Sequence, residues 1–132
     1  MKHFSLSSRE RIKKRNDFEL IFSTGRIIYS SDKVLRAHYI IEKKAEESGV
    51  KIAPVVSKKL GSAVWRNKVK RLIKESYRLN KEILTEVSLR KSVLLKIVFS
   101  ANILSEERNK ILSYKEIMPH VFEIMTKIAS RL

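Results

Sequence analysis

The spacing of apolar residues divides the chain into segments with helical and strand periodicity. A short first helix is predicted from three apolar residues at helical spacing, Phe18, Ile21 and Phe22. Asn16, followed three residues later by Glu19, has the spacing of an N-terminal capping box. Gly25 is then well placed to end the helix, because glycine is the residue most often found just past a helix terminus.

Three strands are predicted to follow the first helix. Residues 26–30 favour a short strand, and residues 33–41 alternate between two faces as a half-buried strand does. After a charged connection, residues 50–57 form another strand pattern that contains Pro54. Because proline has no backbone N–H to donate, this strand is expected at a sheet edge or at a bulge.

The second half of the chain predicts a helix, a strand and a helix. The first of these helices is basic and extends to Ile83, and residues 92–99 form an apolar strand expected to be buried on both faces. Ser113 and Glu116 form a second capping-box pattern, and Pro119 either kinks the last helix or marks its start. The order αβββαβα predicts an α+β fold, a two-layer α/β sandwich with helices packed on one small sheet.

The basic helix has two faces that do not mix. Gly61 and Ser62 supply a turn and a capping hydroxyl at its start. One face is mainly apolar and carries Trp65, Val69, Leu72, Ile73, Ser76 and Leu79. The other is polar and mostly basic and carries Arg66, Asn67, Lys70, Arg71, Lys74 and Arg78. This separation is typical of a helix with one face on a core and the other in solvent.

The charge of this region favours a polyanionic partner. Between Lys58 and Arg78 there are eight Lys or Arg residues and a single acid, Glu75. The simpler interpretation is a solvated helix face, but solvated faces usually mix charges of both signs. The whole chain carries 29 basic and 14 acidic residues, a net charge of +15, which also favours nucleic acid or an anionic membrane surface. We therefore favour nucleic acid.

Length and composition indicate a single folded domain over residues 1–132, in which residues 1–12 form a flexible basic terminus. The absence of cysteine excludes a disulfide framework and agrees with a cytoplasmic protein. The first fifteen residues lack the apolar core of a signal peptide. The best apolar run, residues 93–99, contains Lys96 and is too short to cross a membrane.

No catalytic or metal-binding constellation is evident. His3, His38 and His120 are dispersed and no cysteine accompanies them, so a metal site is not expected. No nucleophile with an adjacent base and no carboxylate pair stands out. Phe18 and Phe22, four residues apart, would by spacing alone be assigned to a core. His38 shares a strand face with Arg36 and is equally consistent with a surface role or a binding role.

Two groups of residues are similar to the bacterial ribonuclease P protein subunit family. The first group is Lys13-Lys14-Arg15-Asn16-Asp17-Phe18 with Phe22 and Gly25, which resembles the family's opening. The second resembles its signature and consists of Val56-Ser57-Lys58-Lys59, Gly61, Ala63-Val64 and Arg66-Asn67-Lys68-Val69-Lys70-Arg71-Leu72. Lys68 replaces the third residue of the motif Arg-Asn-Arg and keeps its charge. The resemblance extends over residues 9–128.

The resemblance implies a function and a fold that composition alone does not. Members of this family bind a large catalytic RNA and the 5′ leader of precursor tRNA, and the ribonucleoprotein is an endoribonuclease that removes the leader. The catalytic centre and its Mg²⁺ ions are expected mainly in the RNA. The implied fold is that of the second domain of ribosomal protein S5, with a left-handed crossover between parallel strands, an exception to the usual handedness. The protein alone is expected to be a monomer.

The resemblance also assigns roles to particular residues. It implies that RNA is bound by Lys58, Lys59, Arg66, Asn67, Lys68, Lys70, Arg71 and Lys74. It implies a leader-binding cleft formed by Phe18, Phe22, Arg36, Arg66 and Lys70. Arg36 stands where the family has a cleft tyrosine, and a guanidinium can also stack on a base. Pro54 departs from the family's usual small or aliphatic residue, so the local strand pairing is expected to differ.

Three other functions are open at this stage. A binding module, such as a ribosomal or assembly protein, would have the same basic sandwich without an enzymatic partner. A self-sufficient nuclease would need catalytic residues that the sequence does not offer. A membrane-surface protein would need an exposed apolar helix face, whereas the apolar face of the basic helix is expected to meet a core.

Overall fold

The computed structural model describes residues 6–43 and 46–132. Four helices are present in this part of the chain: α1 (Arg15–Thr24), α2 (Ala63–Asn80), α3 (Glu82–Arg90) and α4 (Tyr114–Ala129). Four strands accompany them: β1 (Arg26–Tyr29), β2 (Leu35–Glu42), β3 (Gly49–Val55) and β4 (Leu94–Ala101). Short 3-10 turns precede α1, β2 and α2. The predicted α/β sandwich is confirmed.

The four strands form one sheet in the order β1-β2-β4-β3. The β1–β2 and β2–β4 pairs are antiparallel, whereas β3 is parallel to β4 and pairs Gly49 with Leu94 and Val55 with Ser100. Because β3 is an edge strand, the missing N–H of Pro54 is tolerated there, as predicted. All residues of β4 are buried, which agrees with the prediction of a strand covered on both faces.

Helices α2, α3 and α4 cover one face of the sheet. Alternate residues of the central strands point into this layer, for example Tyr39 of β2 and Ile97 and Phe99 of β4. They pack against the apolar faces of the helices, including Val69 and Ile124, all fully buried. The period-two and period-3.6 patterns of the sequence therefore meet in a single main core. No helix within residues 6–43 and 46–132 is long and apolar enough to cross a membrane.

The opposite face of the sheet is covered only in part. Helix α1 lies across it and buries Ile21 against Ala53 and Val98. The segment before α1 is also attached, because Ile12 is buried in this small cluster and its N–H donates to the Ile52 carbonyl at 3.0 Å, while Leu6 is buried in the main core. Part of the terminus predicted to be flexible is thus anchored, and residues 1–5 lie outside the described residues.

The capping residue predicted for the first helix is wrong. The N-cap of α1 is Lys14, whose carbonyl accepts from the N–H groups of Asp17 and Phe18, so Asn16 already lies inside the helix. Glu19 pairs instead with Arg15 at 3.5 Å. The predicted end at Gly25 is confirmed.

The predicted order αβββαβα lacks α3. Helix α2 ends at Asn80 rather than at Ile83, and Lys81 joins it to α3 with helical backbone angles. No glycine or proline marks this junction, so its periodicity resembles that of one continuous helix. Helix α4 does begin after the predicted Ser113 capping box, and Pro119 lies within it.

The apolar face of α2 also differs from the prediction near its end. Leu79 is 53% exposed, whereas Tyr77, which the apolar pattern omits, is fully buried. The reason is that Glu10 pairs with Lys81 at 2.8 Å, which brings the N-terminal segment over this side of α2. Burial, together with the nearby charge of Glu10, raises the pKa of the Tyr77 phenol.

The turn between β1 and β2 is held by α4. The Glu123 carboxylate accepts from the Ser31 N–H at 2.8 Å and from the Ser31 hydroxyl at 2.9 Å, and it pairs with Lys127 at 2.9 Å. The Ser31 backbone bond, and then Lys127, lower the pKa of Glu123 to about 2. Asp32 and Lys33 in this turn have φ of 57° and 56°, a left-handed conformation that is rare outside glycine.

The close packing around Gly25, at the end of α1, predicts that a larger residue there lowers stability. A methyl group at Gly25 would lie 2.3 Å from the Ile21 carbonyl oxygen and 3.0 Å from that of Tyr39, and neither backbone atom can rotate away. We therefore expect Gly25→Ala to lower the free energy of unfolding by about 1–3 kcal/mol, as overpacking does. Urea denaturation measures this, with the exposed Ser23→Ala as a nearby control. Equal midpoints for Gly25→Ala and the wild type would contradict the packing described.

The contacts of Glu123 with the β1–β2 turn predict a pH dependence of stability. Because folding lowers the pKa of Glu123 from 4.5, its ionised form contributes stability that is complete above about pH 4.5 and is lost as the pH falls toward 2. Glu123→Gln should therefore unfold at a lower urea concentration than the wild type at pH 7, and the difference should shrink between pH 4.5 and 2. A difference that stays constant over this range would be inconsistent with the charge of Glu123 being responsible.

Candidate nucleic-acid interface

The start of α2 is fixed by three hydrogen bonds from side chains. The Ser62 hydroxyl accepts from the Trp65 N–H at 3.3 Å, which caps the helix. The Glu106 carboxylate accepts from the Ser62 N–H at 2.8 Å, and the buried indole of Trp65 donates to the Asn109 carbonyl at 2.8 Å. The loop after β4 therefore holds the beginning of α2 in place.

The residues predicted to bind RNA form a basic surface at the start of α2 and along the helix. This basic surface consists of Lys58, Lys59, Arg66, Asn67, Lys68, Lys70, Arg71 and Lys74. Lys58, Lys59, Asn67 and Arg71 are exposed, and the other four are half-buried. Arg66 is oriented by a hydrogen bond from its Nε to the Gly61 carbonyl at 3.0 Å.

The cations of the basic surface have no carboxylate partners in the part of the chain that the structure describes. Within the described ranges, none of its lysines or arginines forms an ion pair, while Lys51, Lys81, Lys96 and Lys127 elsewhere on the molecule each do. Unpaired charges so close together repel one another, and an approaching polyanion would neutralise them. The arrangement is thus suited to binding phosphates.

The partly covered sheet face supplies a second surface. We call it the open face, and it carries the outward side chains Ile27 and Tyr29 of β1 and Arg36, His38 and Ile40 of β2. Phe22 of α1 is 44% exposed above it, and its ring meets the His38 ring edge-on with centroids 4.9 Å apart. Phe18 is half-buried against the small cluster of Ile12, Ala53 and Val98.

A buried lysine holds α1 on the open face. The Lys96 ammonium lies 3.3 Å from the Asp17 carboxylate of α1 and 2.9 Å from the Glu42 carboxylate of β2. Burial alone would lower the pKa of Lys96, but the hydrogen bonds to Glu42 and then Asp17 outweigh it and the pKa is raised. Lys96 therefore stays charged, and its bond to Asp17 fixes the position of the helix that carries Phe18 and Phe22.

The predicted cleft residues lie on two surfaces. Phe18, Phe22 and Arg36 belong to the open face, whereas Arg66 and Lys70 project from α2, whose buried side packs on the other face of the sheet. No hydrogen bond, ion pair or ring contact joins the two sets within residues 6–43 and 46–132. The two sets are apart because α2, which follows β3 in the chain, belongs to the layer of helices on the other face of the sheet.

Sequence reasoning missed two residues of the open face. Ile27 is 50% and Tyr29 36% exposed, and they pair across the strands with His38 and Arg36. The sequence did contain a signal for these two residues. They are two positions apart on a short strand, which places both side chains on one face of the sheet. His38 is buried, and this burial, together with the charge of Arg36, lowers the pKa of its imidazole. His38 is accordingly neutral near pH 7.

The described residues offer no protein-based metal centre. No group of three or more His, Cys, Asp or Glu side chains in this part of the chain is arranged to hold a metal ion. Mg²⁺ would need several oxygen ligands at short distance, whereas the Asp17 and Glu42 carboxylates are engaged with Lys96 and that of Glu106 with the Ser62 N–H. The chemistry that these two surfaces support is binding of a polyanion with exposed bases.

Comparison with known proteins agrees with this interpretation. The family model described as Ribonuclease P matches residues 6–124. The ribonuclease P protein component of Geotalea uraniireducens is 42% identical over 82 residues, which are 61% of this chain and 67% of the relative. That of Clostridioides difficile is 44% identical over 69 residues, which are 52% of this chain and 56% of the relative. The chain thus spans about two thirds or less of the length of these curated relatives.

Solved structures show the same architecture. The ribonuclease P protein of Staphylococcus aureus has a TM-score of 0.65 and 28% identity, and the match covers 91% of this chain and 94% of that one. The ribonuclease P protein of Thermotoga maritima has a TM-score of 0.71 at 22% identity, covers 90% of this chain and 97% of its own, and supports the fold alone. Because the family model matches most of the chain, this protein belongs to the ribonuclease P protein family.

Proposed function

We propose that this chain is the RNA-binding protein subunit of a bacterial-type ribonuclease P, a cytoplasmic ribonucleoprotein endoribonuclease. In this role it binds the catalytic RNA and the 5′ leader of precursor tRNA and assists removal of the leader. The observation that carries the proposal is a basic surface whose cations form no ion pair among the described residues, on a fold that also presents an aromatic open face, in a chain that belongs to this family.

The basic surface is the part that we assign to the catalytic RNA. Most of its cations stand on a helix whose start is held by Glu106 and Asn109, so the backbone that carries them is fixed relative to the rest of the fold. Each contact with a phosphate releases condensed counterions, which makes binding favourable at low salt and steeply salt-dependent. Arg66, oriented by the Gly61 carbonyl, is placed to meet a phosphate at the end of the helix where the chain leaves β3.

The open face is the part that we assign to the leader. An unpaired leader exposes base faces and phosphates, and a surface with aromatic rings beside basic groups binds such a strand with little sequence preference. Phe22 offers a ring that is 44% exposed, and Arg36 offers a guanidinium two positions from His38 on the same strand face. The ion pair of Lys96 with Asp17 at 3.3 Å attaches α1, which carries Phe22, to the sheet beside this surface.

The cleavage chemistry is assigned to the RNA partner. The protein supplies no carboxylate cluster for Mg²⁺ in its described ranges, so we expect the ions to be held mainly by RNA. The protein contributes by binding the substrate and by neutralising phosphates that would otherwise require more cations. It should therefore lower the Mg²⁺ concentration needed for cleavage.

A reconstitution experiment tests the proposed function. A 5′-extended precursor tRNA is incubated at low Mg²⁺ with the purified protein, with a bacterial ribonuclease P RNA, or with both. We expect cleavage at the mature 5′ end only in the mixture. If the mixture cleaves no faster than the RNA alone while the protein still binds RNA tightly, a binding module without enzymatic context is the better assignment. Cleavage by the protein after ribonuclease treatment would instead indicate a self-sufficient nuclease.

A charge-removal variant tests the assignment of the basic surface. Lys70→Ala should weaken binding to ribonuclease P RNA and reduce the slope of log K against log salt by about one unit, because one phosphate contact is lost. The matched control is Lys43→Ala, an exposed lysine after β2 near the Glu42–Leu94 end of the sheet, away from the start of α2. Binding is measured by filter retention at salt concentrations from about 50 to 200 mM, over which such salt dependence is well described. Equal slopes for both variants would argue against direct phosphate contact by Lys70.

A further inference from the structure

Tyr29 occupies an exposed position at one end of the open face. It pairs across the strands with Arg36, which in turn pairs with Ser100 of β4. Tyr29 is 36% exposed, and the next outward residue of the same strand, Ile27, is 50% exposed. Phe22 above His38 continues this apolar strip. Contiguous exposed apolar side chains of this kind form a candidate contact surface.

The backbone on both sides of Tyr29 is fixed from the helical layer. Lys127 of α4 donates to the Tyr29 carbonyl at 3.1 Å, and Glu123 binds both polar groups of Ser31. The following turn holds Asp32 and Lys33 in the left-handed conformation, which side chains adopt only when their surroundings enforce it. The backbone that carries the Tyr29 side chain is thus held by several contacts from the helical layer.

Two cations stand beside this ring. The left-handed turn brings the Lys33 ammonium to 5.2 Å from the centroid of the Tyr29 ring, over its face. Arg36 is the cross-strand neighbour, and its Nε is buried without a hydrogen-bond partner among the described residues. Neither cation forms an ion pair within residues 6–43 and 46–132. His38, the next residue along this face, is neutral near pH 7 and adds no charge.

We propose that Tyr29, Lys33 and Arg36 form a stacking subsite for one unpaired base of the precursor tRNA leader. The base stacks on the exposed part of the Tyr29 ring, and the Lys33 and Arg36 cations bind the phosphates on either side of it. A rigid ring costs little conformational entropy on binding, and base stacking on aromatic side chains tolerates any base. The proposal rests on the proposed function, since it specifies which group on the open face holds the leader.

The test uses the reconstituted holoenzyme and leaders that carry a single 2-aminopurine at successive positions. Stacking on an aromatic ring quenches the fluorescence of this base. We expect one leader position to be quenched in the wild type and in Tyr29→Phe, which keeps the ring, but not in Tyr29→Ala. Tyr29→Ala should also lose roughly tenfold in affinity for precursor tRNA relative to mature tRNA, as removal of one stacking residue does.

Tyr29→Leu is a second variant, which keeps an apolar side chain but has no aromatic face. It distinguishes the loss of stacking from a loss of folding. It should behave like Tyr29→Ala while its urea midpoint stays near that of the wild type. Quenching that survives in both Tyr29→Ala and Tyr29→Leu would overturn the subsite, as would an equal loss of affinity for precursor and mature tRNA. If the wild-type protein itself shows no preference for leader-bearing tRNA, the proposed function has failed rather than the subsite alone.

Discussion

The parallel pairing of β3 with β4 is the constraint on which the other features depend. Parallel neighbours cannot be joined by a tight turn, so the chain must leave the sheet after Val55 and return to its other end at Leu94. Helices α2 and α3 make this connection and supply most of the helical layer with α4. The start of α2, with its basic surface, is consequently fixed at the end of the sheet where Tyr29 and Arg36 also lie.

Charged side chains are paired with carboxylates in one part of the molecule and lack such partners, among the described residues, in another. Lys96 is buried and held by two carboxylates, which keeps it ionised and attaches α1 to the open face. The basic surface keeps Arg66, Lys70 and Lys74 at helical spacing without carboxylate partners among the described residues, and each like-charged pair of this kind costs about 0.2–0.5 kcal/mol. The like charges on α2 thus lower the stability of the free protein, and bound phosphates would offset this cost. The charge of Lys96 is instead neutralised by carboxylates, and one of these ion pairs positions α1.

Local patterns predicted most of the fold, because each element buries one face with a clear period. The edge position of β3 followed from Pro54, and the start of α4 from Ser113. The junction at Lys81 was missed because no glycine or proline marks it. The burial of Tyr77 in place of Leu79 accompanies the ion pair of Glu10 with Lys81, two residues that are 71 positions apart in the sequence. Tyr29 was missed because only the strand register places it beside Arg36. The residue roles that the resemblance implies stay predictions.

The central claim is that the open face binds the leader whereas α2 binds the catalytic RNA. Site-specific crosslinking tests this claim most directly. The chain has no cysteine, so a single one introduced at Ile27, Asn67 or Ser130 can carry a photoreactive group without ambiguity. With the reconstituted holoenzyme and precursor tRNA, the group at position 27 should crosslink to the leader, that at 67 to the catalytic RNA, and that at 130, beyond α4, to neither. Leader crosslinks from position 130 but not from 27 would contradict the account.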